Sequence, residues 1–370
     1  MIKRLIKEAH VLIGLLSSLF ILAITLSGII LTYSGSLMAW ETGVFSSSNH
    51  KVVSEYIDLD KLVDDAKRLT GKTFIPLGYL GPNAEIKTQT KMIYGLSHSI
   101  DAGGEIQIVT FDPGTQKPIG AFLLEDTLTH EIIDFHYNLL MGGLGEVITS
   151  VIGILLGLLA IFGIIVWWKG ARKSAKKLFD FKIQGELFQL NYRLHSVFGI
   201  WLSLIVIVWG LTGAYWTQPT WFPSAIHPQV DSYADNAHEV MMQESCNTVV
   251  TTNQAIEASL NIFPDATLFE AELPTEWQPY YVIYLTKGKD FDKHDADIRV
   301  WVHPTCINQQ YYQTTEGLGR IGAISKSIHS GRIFGSFSAL AITLIGIAII
   351  VLSITGLYLS VKHYKKLLFS

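Results

Sequence analysis

The chain is short of charge, of cysteine and of nucleotide-binding glycine loops, and each shortage excludes something. Charged residues fill 16% of its 370 positions against 49% apolar ones, a balance that excludes an ordinary soluble enzyme. The two cysteines, Cys246 and Cys306, have no metal-site spacing, which excludes a zinc ribbon or an iron–sulfur cluster. No tract of low complexity suggests a disordered tail. The net charge of −4 says little by itself, and no nucleic-acid partner is expected.

What is present is apolar sequence in long runs. Four segments, 11–33, 146–168, 197–217 and 333–361, each reach the roughly 20 residues that a lipid-embedded helix needs. The first exceeds the core of a signal peptide, about 7–15 residues, and has an internal twin at 195–217, so it reads as a retained span. Orientation follows from basic residues in short loops. Lys3, Arg4 and Lys7 precede the first span. Lys169, Arg172, Lys173, Lys176, Lys177, Lys182 and Arg193 lie between the second and third, and Lys362, Lys365 and Lys366 follow the fourth. All three regions are expected in the cytoplasm, and the two long segments outside it.

The expected division is therefore a first helix over 1–33, an exported module over 34–135 and a second helix over 136–168. A basic cytoplasmic loop over 169–192 leads to a third helix over 193–217. A second exported module over 218–328, a fourth helix over 329–361 and a tail over 362–370 complete the chain. Both halves run in the same direction, which predicts a four-transmembrane-helix bundle of two parallel repeats. The exported segments have α+β character. Leu59 to Leu69 has helical spacing, Ile106–Phe111 alternates as a strand, and Asp112-Pro-Gly-Thr115 is a turn leading to Ile119–Phe122. In the second, a helix is expected near Asn253–Ile262, with strands near Tyr280–Leu285 and Ile298–Val302. Cys246 and Cys306 are disulfide candidates in an oxidising compartment, two free thiols being the alternative. Closure of such a loop would stabilise by roughly 4 kcal/mol.

Four histidines recur at matched positions. His10 and His195 are each followed by glycine at plus four (Gly14, Gly199) and plus eighteen (Gly28, Gly213), the second preceded by Ser27 or Thr212. His136 and His329 are followed by glycine at plus six (Gly142, Gly335), plus seventeen (Gly153, Gly346) and plus twenty-seven (Gly163, Gly356). At 100° per residue, Gly14 and Gly28 share the face of His10, as Gly199 and Gly213 share that of His195. A smooth strip there admits a flat macrocycle or a neighbouring backbone, and small residues at helix interfaces are common for packing alone. Ionisable groups in a bilayer usually mark function, and neutral imidazole is a frequent metal ligand. Orientation sorts the four into an inner, cytoplasmic-side pair, His10 with His195, and an outer pair, His136 with His329. Zinc or copper would want more ligands per site. Two bis-histidine haems are expected instead. Arg193 and Arg332 are candidate partners for haem propionates, or else interfacial anchors. The remaining histidines, among them His50, His98, His130, His227, His238, His294, His303 and His363, read as surface or turn residues.

The elements Arg193-Leu-His-Ser-Val-Phe-Gly-Ile200, Phe135-His-Tyr-Asn-Leu-Leu-Met-Gly-Gly143 and Ile328-His-Ser-Gly-Arg-Ile-Phe-Gly335 resemble those of the PepSY-associated transmembrane family of bacterial inner-membrane proteins. The resemblance spans essentially the whole chain, including exported PepSY-like modules. The turn pattern Asp-Pro-x-Thr-Gly of such modules stands here as Asp112-Pro-Gly-Thr-Gln116 and, further from the pattern, His303-Pro-Thr-Cys-Ile307. The family includes di-haem ferric-siderophore reductases of the ferrioxamine type. The resemblance implies two b-type haems held by His10, His195, His136 and His329, a ferric siderophore as substrate, and electrons from quinol or a cytoplasmic reductase. Two other functions stay open: an anchor whose PepSY-like modules bind or inhibit an exocytoplasmic peptidase, and a metal or siderophore permease.

One geometric difficulty accompanies the di-haem reading. A straight helix from His136 to Gly163 would be about 40 Å long, longer than the roughly 30 Å hydrocarbon core. A bend at Gly142-Gly143 or a strong tilt is expected, with Trp201 and Trp209 as packing residues near the gap.

Overall fold

A computed structural model describes residues 2–43, 58–81, 91–99, 101, 103–112, 115–171, 186–227, 246, 248–287, 298–315 and 317–368. Most of the basic loop, and His50, His238 and His294, lie outside them. The chain divides into two compact units, one of residues 1–32, 132–224 and 328–370 and one of residues 33–131 and 225–327.

The first unit contains four long helices: α1 (Ile2–Leu31), α5 (Gly143–Ala171), α6 (Leu187–Thr217) and α9 (Ser338–Leu368). Each is long and apolar enough to cross a membrane. Around the bundle α1 packs against α5, α5 against α6, α6 against α9 and α9 against α1. The interior is apolar, centred on Ile21, Ile152, Val206 and Ile349. Large apolar side chains such as Leu16, Leu204 and Leu344 stay exposed on the outside, as a lipid-facing surface requires. Small residues let backbones meet. A Cβ on Gly153 of α5 would stand 2.6 Å from the Gly210 carbonyl of α6, so only glycine permits that approach.

The helix expected to begin at His136 is broken. His136 lies on α4 (Leu128–Asn138), and α5 starts only at Gly143. Between them Leu139, Leu140 and Gly142 have positive φ, a left-handed path that stops a helix. The fourth span is interrupted in the same way. His329 ends α8 (Gly319–His329), a 3₁₀ turn covers Arg332–Phe337, and Gly335 has φ 55°. The glycines at plus six, Gly142 and Gly335, thus stand in matched left-handed positions.

The second unit is an α+β module built on one antiparallel sheet of eight strands. They are β1 (Ile75–Leu80), β2 (Lys91–Leu96), β3 (Ile106–Phe111), β4 (Pro118–Leu123), β5 (Thr267–Glu272), β6 (Tyr281–Thr286), β7 (Ile298–His303) and β8 (Cys306–Thr314), in the order β4-β3-β2-β1-β5-β6-β7-β8. Instead of two separate hairpin modules, the two halves join through β1 and β5. Three residue pairs make the seam: Gly78 with Glu272, Tyr79 with Ala271 and Leu80 with Glu270. Helices α3 (Leu59–Thr70) and α7 (Thr252–Ile262) contribute Leu59, Leu62, Ala66 and Ala255 to one core with Ile93, Val109, Ile283 and Val300 of the sheet. Each helix start is capped by the other. Asn253 accepts the Leu59 N–H (3.0 Å), and Asp60 accepts the Thr252 N–H (2.9 Å). Cys246 and Cys306 form a disulfide with 5.0 Å between Cα atoms.

Candidate functional site: two facing histidine pairs

The inner histidines lie on diagonally placed helices, His10 on α1 and His195 on α6, with ring centres 6.1 Å apart and planes at 68°. The outer pair repeats this, His136 and His329 being 6.3 Å apart at 53°. Each ring is held by the helix beside it. His10 donates from Nδ1 to the Leu159 carbonyl of α5 (3.0 Å), and His195 to the Leu352 carbonyl of α9 (3.2 Å). His136 donates to the Ile24 carbonyl of α1 (2.9 Å). His329 reaches Thr212 Oγ1 of α6 (3.2 Å) and the Trp209 backbone.

Hydroxyls complete three of these contacts. Ser27 Oγ lies 3.0 Å from His136 Nδ1, and Thr355 Oγ1 lies 3.1 Å from His195 Nδ1. Ser27, Thr212 and Thr355 each donate their own proton to a helix carbonyl, of Ile24, Val208 and Val351 respectively. Their oxygens are therefore left as acceptors, which places the imidazole proton on Nδ1 and leaves Nε2 as the basic nitrogen. A hydrogen-bonded Nδ1–H is the usual support of a metal-ligating histidine.

Glycines make room for the rings. A Cβ at Gly28 or Gly213 would stand 2.9 Å from Cε1 of His136 or His329. At Gly356 it would stand 3.0 Å from that of His195, and at Gly163 3.3 Å from that of His10. This corrects the expected purpose of the plus-eighteen glycines. Gly28 and Gly213 accommodate the outer histidine of their own half rather than extend a strip beside His10 and His195. At Gly14 and Gly199 the nearest side-chain atoms would be 3.7–3.8 Å away, ordinary contacts, so space remains there beside the inner rings.

The donor set fits haem. Two imidazoles on opposite sides of one metal, with metal–nitrogen bonds of about 2 Å, place ring centres about 6 Å apart, the separation found in both pairs. Among the described residues no group of three or more His, Cys, Asp or Glu stands together as a metal site. The break before α5 also resolves the length problem. Gly28, which meets His136, lies eighteen residues along α1 from His10, about 27 Å rather than 40 Å.

Other expected residues are placed less simply. Arg193 bonds the Gln189 carbonyl of its own helix at 3.3 Å. Arg332 is buried, 6% exposed, in the turn after His329. Trp209 donates to the Ile328 carbonyl (3.2 Å) beside the outer pair. Trp201 is 54% exposed, so it faces outward rather than toward the gap. Trp216 stacks on His329 at 6.4 Å and 26°. His303 accepts the Thr305 N–H (3.1 Å) in the β7–β8 turn, and His363 pairs with Glu8 (2.9 Å). Sequence reading missed Thr355, although it precedes Gly356 as Ser27 precedes Gly28 and Thr212 precedes Gly213.

No match is found among curated proteins. A family model described as the PepSY-associated TM region matches residues 8–363, a range that takes in both histidine pairs, all eight strands and most of each long helix. With four membrane-length apolar helices and that match, the chain is a multi-pass membrane protein and belongs to the PepSY-associated TM family.

Proposed function

We propose that this chain is a di-haem reductase of the bacterial inner membrane that passes electrons to ferric iron in a siderophore on the periplasmic side. The observation that carries the reading is the pair of facing imidazole couples, 6.1 and 6.3 Å between ring centres, each with Nδ1 held by its neighbouring helix. His10 and His195 would hold the inner haem, His136 and His329 the outer one. Two b-type haems held by these imidazoles would supply one-electron transfer.

This chain's own residues orient and insulate. Ser27, Thr212 and Thr355 hold the Nδ1 protons, keeping Nε2 available as ligand. Gly28, Gly213, Gly163 and Gly356 let each imidazole pack closely against the adjacent helix. The apolar interior around Ile21, Ile152, Val206 and Ile349 excludes water between the sites. Basic residues at both termini and between α5 and α6 favour cytoplasmic termini. The disulfide supports an oxidising compartment for the sheet. That sheet, as a pair of fused PepSY-like modules, would face the ferric chelate. Ferrous iron binds hard oxygen chelators less tightly and leaves. Quinol or a cytoplasmic reductase would be the electron source.

The visible spectrum of purified protein tests the reading. A sharp Soret band that loses intensity in His195→Ala and in His329→Ala is expected, and colourless protein of intact fold would refute it. With haem present, dithionite-reduced protein is expected to reoxidise on anaerobic mixing with a ferric hydroxamate. Failure there would refute the substrate and leave the haem sites standing.

A further inference from the structure

The two inner histidines are not held equally. His195 Nδ1 has two acceptors, the Leu352 carbonyl at 3.2 Å and Thr355 Oγ1 at 3.1 Å. His136 also has two, Ile24 at 2.9 Å and Ser27 at 3.0 Å. His329 has Thr212 at 3.2 Å together with the Trp209 backbone. Among the described residues, His10 has one, the Leu159 carbonyl at 3.0 Å. The position matching Thr355, immediately before the glycine that meets the ring, is Phe162 before Gly163. The glycine contact differs too. A Cβ at Gly163 would lie 3.3 Å from the His10 ring, against 2.9–3.0 Å at the other three. His10 is thus the imidazole with the fewest acceptors and the loosest seat.

We propose that His10 is an exchangeable ligand and His195 a fixed one, so that the inner site can admit a small diatomic or anionic ligand on its His10 side while the outer site cannot. The inference rests on the haem reading above. Its physical basis is that partners on the second imidazole nitrogen orient the ring and raise its basicity, together a contribution of typically 10–100-fold in metal affinity; His10 keeps the Leu159 carbonyl but has no second acceptor among the described residues. Phe162 cannot supply one. Thr355 does so for His195, its own proton being committed to the Val351 carbonyl at 2.7 Å.

Carbon monoxide added to the dithionite-reduced full-length protein is the probe, read as the fraction of haem whose Soret band shifts. The wild-type protein is expected to bind it at one of its two haems. Phe162→Thr, which supplies a second acceptor, is expected to weaken binding by up to roughly 10-fold. Thr355→Val, which removes the hydroxyl from the fixed side, is expected to strengthen it. Binding at both haems or at neither would overturn the proposal. So would an affinity that follows Ser27→Ala instead of Phe162→Thr. Thr355→Val keeps the test decisive if Phe162→Thr does not fold. Wild-type protein without any Soret band would sink the haem reading itself, a different outcome from haem that rejects carbon monoxide.

Discussion

Single atoms decide most at the residue scale. The Cβ missing from Gly28 and Gly213 leaves space that the His136 and His329 rings occupy, whereas Gly14 has room for a methyl group. Gly28→Ala and Gly213→Ala are therefore expected to displace the outer imidazoles and, under the di-haem proposal, to lower a haem-to-protein ratio of about two toward one. Pyridine haemochrome titration against protein concentration measures this, and a ratio unchanged from wild type in both variants would contradict it. The hydroxyls of Ser27 and Thr212 were legible in the sequence as matched small residues. Their hydrogen-bonding role was not, because a spacing of one residue before glycine does not say which ring lies opposite.

At the scale of elements, the outer histidines depend on short helices ending in left-handed turns. Helix α4 starts on a carboxylate from α2 (Ser34–Thr42). Glu41 accepts the N–H groups of Leu128 (2.9 Å) and Thr129 (3.2 Å) and the Thr129 hydroxyl (2.6 Å). Glu41→Ala leaves those donors without their acceptor and is expected to cost about 1–2 kcal/mol. Hydrogen exchange read at residues 128–131 would show faster opening; unchanged exchange there would disprove the cap. The break between α4 and α5 was legible as Gly142-Gly143, and the helices near 59–69 and 253–262 from their apolar spacing. Strands β1 and β2 were not. Ile75-Pro-Leu-Gly-Tyr-Leu80 and Lys91-Met-Ile-Tyr-Gly-Leu96 carry proline and glycine where a strand pattern is normally uninterrupted. Gly78 is there for packing: a Cβ would meet the Ala271 carbonyl at 2.6 Å and Tyr94 Oη at 2.7 Å.

Across the whole molecule, the β1–β5 seam and the disulfide tie distant parts of the chain. Tyr94 of β2 passes over Gly78 to donate to Glu270 of β5 at 2.8 Å. Burial pushes the Glu270 carboxyl up to about 7 from 4.5, with Glu272 adding to the rise and Tyr94 and Arg299 opposing it. The folded state then holds a proton that the unfolded chain releases. Its contribution to stability is complete below pH 4.5 and declines as pH rises through about 7. Thermal denaturation between pH 5 and 8 is expected to show that decline in the wild-type protein and a flatter profile in Glu270→Gln; an unchanged slope would refute the assignment. Replacing both Cys246 and Cys306 by serine, which opens a connection 60 residues long, is expected to cost about 4 kcal/mol. Denaturant midpoints with and without reductant measure it, and the double variant is expected to lose all sensitivity to reductant.

The sequence by itself determined the four membrane-length helices, the α+β character of the long segments and the division of four histidines into two pairs. Those features rest on local quantities: hydropathy over about 20 residues, periodicity and matched spacing. Only the tertiary structure decided that both sets of strands form one sheet, that each of the four paired histidines lies against a glycine of another helix, and that among the described residues His10 alone of the four lacks a hydroxyl partner. These are contacts between residues far apart in the chain, and backbone approach and hydrogen-bond direction exist only once the helices have packed.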